Sequence, residues 1–448
     1  MLFPNLAEQA VERAKSDYYR QVMGRIRKGR ALAVQYYNGQ GYRDYEKKID
    51  KDLREQIPRS NNNLVKRIIE RVSQVYTIPP VRTIDGEPAD KYTDKIPDMN
   101  TEMQNVERYG NLLNLVAVKP TAYGEGADKH IELDLIIDFD VFVDPDDPLK
   151  AIAIVYPLPS EEGKPEHMMY IDAGGWVKYD LNGKVVKKEE HNYGLLPVYF
   201  HYTEKPMSDF WDVDYARDLV DSCRTVNVLS MDRTANVRFQ SYGYVYASGT
   251  DGDDLQVGQN KVTTFRDPQA KLDIVTPPDT QDSTSTTINN EYKAIARNWH
   301  LPEDFVTGEG GVQAESGVAR KLRSQELNDD RKGDLERCRK LEDGVYIICQ
   351  SVYKIEFNIA LADGYAVDFR ENEISESEDE RRLREEWEVD KGFKTWAHIL
   401  IERNPDKFAD EADPVAAAQE FINENKRRIK ERGNLVDEIL GGDNGGLL

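Results

Sequence analysis

The spacing of apolar residues divides the chain into stretches of two different periods. Residues 8–37 hold no proline and set Val11, Tyr18, Val22 and Ile26 at helical spacing, which predicts a helix ended by Asn38-Gly39-Gln40-Gly41. After Ser60, the residues Leu64, Val65, Ile68, Ile69, Val72 and Tyr76 form one apolar stripe, a second helix that Pro79-Pro80 stops. A third helix is expected over about 97–118, ending before Pro120. From 120 to 205 the period shortens to two. Ile131, Leu133, Leu135 and Ile137 alternate with polar residues, 151–156, 167–172 and 196–201 read as strands, and Asn182-Gly183 marks a hairpin.

The helical period returns over 212–238, where Tyr215, Leu219, Cys223, Val226 and Leu229 make a narrow apolar seam on a mostly polar helix. Short strands broken by turn signals are expected over 239–282, then a helix from about 286 to 299 that Leu301-Pro302 breaks. A Gly-rich segment, 307–317, precedes the longest helical pattern, 316–354, in which Leu335, Cys338, Leu341, Val345, Ile348 and Val352 keep register. At ~1.5 Å per residue such a helix spans about 58 Å, the spine of an elongated body. A strand at 365–370 follows, then a helix capped by Ser375 or Ser377, helices near 394–403 and 414–432, and a Gly-rich tail expected to be disordered. The fold class read from these periods is α+β, mostly helical with β-rich inserts.

Composition adds limits. The 448 residues are 39% hydrophobic and 32% charged, enough for a core beneath much solvated surface. The net charge of -22 argues against tight, static DNA binding, which needs Lys and Arg to neutralise phosphates. The charge is uneven: residues 1–80 carry 16 Lys+Arg against 9 Asp+Glu. Three cysteines without a C-x-x-C pair point to a reducing compartment rather than a disulfide framework or a zinc site. No apolar run approaches 18 residues and the N-terminus lacks the pattern of a signal peptide, so neither a membrane span nor secretion is expected.

Catalytic patterns are not found. There is no G-x-x-x-x-G-K-[ST] loop, and the 308–317 segment lacks both G-x-G-x-x-G spacing and a lysine. The six histidines are scattered, without H-E-x-x-H, and no G-x-S-x-G elbow occurs. Asp144-Pro-Asp-Asp-Pro148 and Asp251-Gly-Asp-Asp254 offer oxygen ligands for a divalent cation, but neither fits an EF-hand, and Asx-type turns account for both. No catalytic residue, cofactor site or metal ligand set is singled out, and the chain is not expected to be an enzyme.

Several stretches, in order, carry a resemblance. They are Tyr36-Tyr37-Asn38-Gly39; Asn62-Asn63-Leu64-Val65-Lys66-Arg67-Ile68-Ile69-Glu70 running to Pro79-Pro80; and Leu196-Pro-Val-Tyr-Phe200 followed by Asp218-Leu219-Val220-Asp221. Further on come Glu315-Ser316-Gly317-Val318-Ala319, then Val367-Asp-Phe-Arg-Glu-Asn-Glu373 with Asp379-Glu380 and Lys391-Gly392-Phe393. Their order resembles the portal proteins of tailed bacteriophages, the siphovirus-type portal family. The family's Gly-x-Pro-Val phrase reads Thr77-Ile78-Pro79-Pro80-Val81 here.

The resemblance implies a ring, dodecameric in assembled virions, that conducts double-stranded DNA at one capsid vertex during packaging, retention and ejection. Residues 1–210 would form a wing, 211–238 and 284–304 stem helices, 239–283 a clip, 305–316 a tunnel loop, 317–376 the long wing helix and strand, and 377–448 a crown. The implied partners are further copies of the chain, the terminase large subunit, a head–tail adaptor, and the major capsid and scaffold proteins, with no membrane and no cofactor. The implied location is the virion's portal vertex, after synthesis in the bacterial cytoplasm. Thr307, Glu309, Val312, Gln313 and Glu315 would face the DNA, and an acidic channel wall would repel the duplex weakly on all sides. Three alternatives stand beside it: another ring-forming virion protein such as an adaptor, for which the chain is long; a metal-dependent nuclease using Asp144, Asp146 and Asp147; and a host scaffold built on a long helix.

Overall fold

In a computed structural model of the chain, residues 17–46, 60–158, 167–212, 214–242, 244–248, 269, 271–275, 281–308, 325–370, 378–408 and 413–440 are described. The fold is mixed α and β. Described residues up to 370 belong to one compact unit and those from 378 to another.

The first unit begins with α1 (Asp17–Tyr37) and α2 (Leu64–Val72). The Asn63 side chain caps α2 by accepting from the Lys66 N–H at 3.2 Å, and Leu64, Val65, Ile68 and Ile69 are its buried face. The apolar stripe runs on to Tyr76, but the helix stops at Val72. The reason is Glu107, on α3 (Met99–Leu113), whose carboxylate accepts the N–H groups of Val75 (2.9 Å) and Tyr76 (3.3 Å). Those donors are turned away from the helix, and Val75–Thr77 forms a 3₁₀ turn instead.

The third predicted helix was expected to reach 118. It ends at Leu113, because Asn114 takes a left-handed conformation (φ 60°) that terminates the turn, and Leu115-Val116-Ala117-Val118 open β3 (Leu115–Tyr123). Pro120 lies inside that strand, opposite Leu133 of β4 (His130–Ile136). On β3's other side, β10 (Tyr199–Tyr202) pairs only as far as Val118, so the missing N–H of Pro120 falls where no ladder bond is required.

A second antiparallel sheet follows the chain order: β5 (Asp140–Asp144), β6 (Asp147–Leu158), β7 (His167–Asp172), β8 (Gly175–Asp180) and β9 (Val185–Glu190). The expected Asn182-Gly183 turn joins β8 to β9. Asp180 Oδ1 accepts the N–H groups of Asn182 (2.9 Å) and Lys184 (2.8 Å), and Gly183 supplies the positive φ of 88°.

Helix α4 (Arg217–Tyr242) leads into a two-stranded antiparallel ribbon, β11 (Tyr244–Ser248) with β12 (Lys271–Val275), and the chain returns through α5 (Gln281–Asn298) and the short α6 (Glu303–Thr307). Helix α7 (Gln325–Val352) is the described part of the long pattern; its predicted start, 316–324, lies outside the described residues. The spacing read from the sequence is the buried face: Cys338, Leu341, Val345, Ile348 and Val352 are all in the core. Residues Tyr353–Phe357 widen into one π turn, closed by left-handed Asn358. Strand β13 (Tyr365–Asp368) then pairs with β1 (Val81–Ile84), which also pairs with β2 (Glu87–Pro88).

The second unit holds α8 (Glu378–Asp390), α9 (Trp396–Arg403) and α10 (Pro414–Leu440). A small core of Ala397, Phe408 and Ala418 joins α9 to α10.

Glu107 gives the first unit a pH dependence. Burial raises its carboxyl from the ordinary 4.5 to about 7, although the Val75 and Tyr76 N–H groups pull the other way. The folded state therefore binds this proton where the unfolded state has released it. The stabilising contribution is complete below pH 4.5 and is lost as pH rises through 7. Glu107→Gln keeps one acceptor oxygen for this pair of N–H groups and removes the titration. Between pH 5 and 8 the variant should gain about 2 kcal/mol on the natural chain in urea unfolding; parallel pH profiles would refute this.

Candidate functional site

The part of the fold best suited to a function is the helix pair α4–α5, its ribbon and its root. The root is built by three consecutive asparagines. Asn61 Nδ2 donates to Gly39 O (2.6 Å), and Asn63 Nδ2 donates to Tyr37 O (3.1 Å) at the end of α1. Asn62 N–H donates to Asn227 Oδ1 on α4 (2.7 Å), while Asn62 O accepts from Cys223 Sγ (3.3 Å) and Asn227 Nδ2 (3.4 Å). Burial pushes the Cys223 thiol up to about 11, so it keeps the proton it donates. Arg224 extends the anchor, reaching Asp44 at 2.5 Å, to which the Tyr36 hydroxyl also donates.

Tyr36-Tyr37-Asn38-Gly39 and the Asn62–Glu70 stretch, far apart in the chain, thus meet at the base of α4. Sequence reasoning did not find Asn227, Arg224 or Asp44. The run Asn61-Asn62-Asn63 before an apolar stripe is an N-cap signal, yet only Asn63 caps, and the other two face α1 and α4.

Leu219, Val220, Cys223 and Val226 of α4 join the core, so one face of the helix's first half is held by it, while Asp218, Asp221 and Thr225 are exposed. Further along, the pair is mostly polar. Met231 and Ala235 on α4 and Ile288 on α5 are buried, and Arg233 reaches Ser285 across the pair at 3.4 Å. Hydroxyls on both helices turn back onto their own backbone: Thr225 to Asp221 O (3.0 Å), Thr234 to Ser230 O (2.9 Å), Thr286 to Asp282 O (2.8 Å) and Thr287 to Ser283 O (2.9 Å).

Over α4 and α5 six Lys/Arg stand against five Asp/Glu, because Arg217, Arg224, Arg233, Arg238, Lys293 and Arg297 offset the carboxylates. The chain's negative charge is concentrated elsewhere.

At the far end of α5, Trp299 Nε1 donates to Asp218 Oδ2 at 3.1 Å, tying the end of one helix to the start of the other. His300 takes a left-handed conformation and approaches Asp330 at 2.6 Å. These residues border a cleft of 620 Å³ between α5 and α7, also lined by Asp334 and Arg337. Its charges are taken up internally: Arg337 pairs with Asp334 and donates to Thr203 O at 2.7 Å. Arg67 donates to the Phe305 carbonyl and lies over the Phe305 ring at 4.9 Å, fixing α6 to α2.

Of the five residues expected to face DNA, Thr307 ends α6, just before left-handed Gly308. Glu309, Val312, Gln313 and Glu315 lie outside the described residues, as does Asp251-Gly-Asp-Asp254. Asp144, Asp146 and Asp147 occupy the turn between β5 and β6. Asp144 Oδ1 accepts the Asp146 N–H (3.1 Å), Asp147 Oδ1 accepts the Leu149 N–H (3.1 Å), and Lys150 pairs with Asp144 at 3.1 Å. The Asp146 N–H and then Lys150 hold the Asp144 carboxyl below its ordinary range. This is an Asx turn. Among the described residues, no three His, Cys, Asp or Glu side chains are grouped to hold a metal ion.

No family model and no curated protein matches the chain. It is similar to a chain of a solved structure described as "Neck of empty GTA particle computed with C6 symmetry", with 11% identity, 76% of this chain and 89% of that chain covered, and a TM-score of 0.38. It is also similar to one in "Virion of native gene transfer agent (GTA) particle", with 10% identity, 75% and 88% covered, and a TM-score of 0.38. Both neighbours come from assembled particles; a likeness at this TM-score carries nothing over to this chain.

Proposed function

We propose that the chain is the subunit of a portal: a ring that conducts double-stranded DNA at one vertex of a phage capsid and catalyses no reaction. The observation that carries this reading is the α4–α5 pair, rooted in the core at one end, polar along its length, and carrying the β11–β12 ribbon at its turn. Helices of this kind suit packing beside copies of themselves around a wet channel, in a heterologous interface that closes by rotation. Their near-balanced charge suits a conduit. A wall rich in Lys and Arg would bind phosphates tightly and with strong salt dependence. Here hydroxyls satisfied by their own backbone replace cations along much of the surface.

In this reading residues 1–210 and 317–376 are the wing, 211–238 and 284–304 the stem, 239–283 the clip that meets the terminase and later the adaptor, 305–316 the tunnel loop, and 377–448 the crown inside the head, in contact with capsid and scaffold proteins. The protein's place is then the virion. The nuclease alternative would need Asp144, Asp146 and Asp147 as metal ligands, whereas an Asp144 and an Asp147 oxygen accept backbone N–H groups of the turn. The test is omission of the chain from particle assembly: DNA-filled heads should disappear and return on complementation. Filled heads without the chain would refute the reading, and cation-dependent DNA cleavage by the purified chain would replace it with the nuclease.

A further inference from the structure

In the second unit α8 is inside out. Among its described side chains, 381–390, only Glu385 is buried, at 5% exposure, held by Arg381 (3.1 Å) on its own helix and by Arg403 Nε (3.0 Å) on α9. Its apolar residues face outward: Leu383 is 67% exposed and Trp387, one turn on, 54%. The chain then builds the patch further. Lys391 N–H donates to Trp387 O, left-handed Gly392 reverses the backbone, and Phe393 N–H donates to Glu388 O at 2.9 Å. This turn lays the Phe393 ring on Trp387, centroids 5.5 Å apart, although Phe393 itself is 71% exposed. An amphipathic helix ordinarily buries its apolar stripe and solvates its charges. One anchored by a glutamate, with two exposed aromatics in tilted contact, is without a partner among the described residues.

The same unit carries the complement. On α8 the exposed carboxylates Glu386 and Asp390 stand three residues on from Leu383 and Trp387, beside the apolar face. Helix α10 is held by Ala418 and Ile422 against α9, and it continues past that anchor with Lys426, Arg427 and Arg428 exposed. Residues 424–432 hold five Lys/Arg against two Glu. Guanidinium and ammonium groups suit both features of the α8 face, its carboxylates by charge and its Trp387–Phe393 pair through cation–π contact. Among the described residues that face is left exposed, and the matching α10 is assigned to another copy.

We infer that the Leu383–Trp387–Phe393 face of α8 docks the basic stretch of α10 of a second copy of this chain. The contact joins two different surfaces, so it propagates from copy to copy in one direction, as closure of a ring requires. The inference rests on the ring reading above and adds to it one set of interface residues.

The experiment uses the full chain, with mass by light scattering and particle shape by electron microscopy. Trp387→Glu/Phe393→Glu alters exposed residues only, so the thermal midpoint should stay within about 2 °C of the natural chain. The concentration needed for assembly should rise about 30-fold or more, as for loss of an aromatic hot spot, and the mass should fall toward 51.4 kDa. Arg427→Glu/Arg428→Glu should weaken assembly in the same way, and mixing it with Glu386→Lys/Asp390→Lys should restore co-assembly. If the aromatic variant forms rings at the natural chain's concentration, the inference falls and the portal reading stands. Failure of the swapped pair to co-assemble removes α10 as the occupant. A natural chain that never assembles overturns both.

Discussion

Glu342→Ala is expected to lower the unfolding free energy of the first unit by roughly 3–5 kcal/mol. Glu342, on α7, is fully buried and makes a two-pronged bond with Arg82 on β1: Arg82 Nε to Oε2 at 3.1 Å and the terminal nitrogen to Oε1 at 2.7 Å. Arg82 also donates to Asn100 Oδ1 (2.7 Å), and the Tyr365 hydroxyl on β13 donates to Glu342 Oε2 (2.7 Å). The group ties the small sheet to the long helix, beneath the Tyr346 and Tyr365 rings stacked at 4.3 Å. Burial alone would draw the Arg82 guanidinium down; Glu342 more than reverses this, so its proton is held more tightly than in water. Removing the glutamate leaves a desolvated cation, which accounts for the size of the loss. The pair itself need not be a net gain over apolar residues. Arg82→Met/Glu342→Leu should therefore recover most of the stability lost by Glu342→Ala. Urea unfolding checks both, and a loss below about 1 kcal/mol for the single variant would show that water or a rearranged side chain rescues Arg82.

Arg30→Ala should cost roughly 3 kcal/mol or more by a different route. Arg30 leaves α1 and donates to three backbone carbonyls: Leu113 O (3.0 Å), Leu115 O (2.6 Å) and Ile137 O (2.9 Å from one nitrogen, 3.2 Å from another). The first lies at the end of α3, where helix carbonyls lack intrahelical donors, and the second opens β3. The guanidinium also lies 5.7 Å from the centre of the Phe139 ring. Burial draws it down to about 10, against the pull of Asp138, so it remains charged at neutral pH. Arg30→Ala strands those carbonyls, and Arg30→Lys cannot reproduce a planar fork that reaches all three. Both should lower the urea midpoint, the alanine by more. A lysine variant as stable as the natural chain would mean that the fork geometry does not matter.

Where local pattern decides the structure, the sequence was readable. The stripe from Cys338 to Val352 is buried as its spacing required, with Leu335 half-buried beside it, and Asn182-Gly183 makes the hairpin that its dipeptide predicts. Distant residues decided the rest. Glu107 takes the N–H groups that would have carried α2 through Tyr76, and Pro120 is tolerated in β3 because β10 stops at Val118. Arg82 and Glu342 are separated by 260 positions and no local signal links them. Leu383 and Trp387, one turn apart on α8, are both exposed, because burial depends on what packs against the helix and not on spacing alone. At the candidate site, the polar α4 seam was legible, while its asparagine root, which joins residues 165 positions apart, was not.

The central claim, a ring-forming channel subunit, is tested most directly by negative-stain electron microscopy of the purified full chain, with its mass by light scattering. The account predicts a ring with a central hole and a mass near twelve times 51.4 kDa. A chain that remains at 51.4 kDa across protein concentration and salt, or a closed particle without a hole, would contradict it.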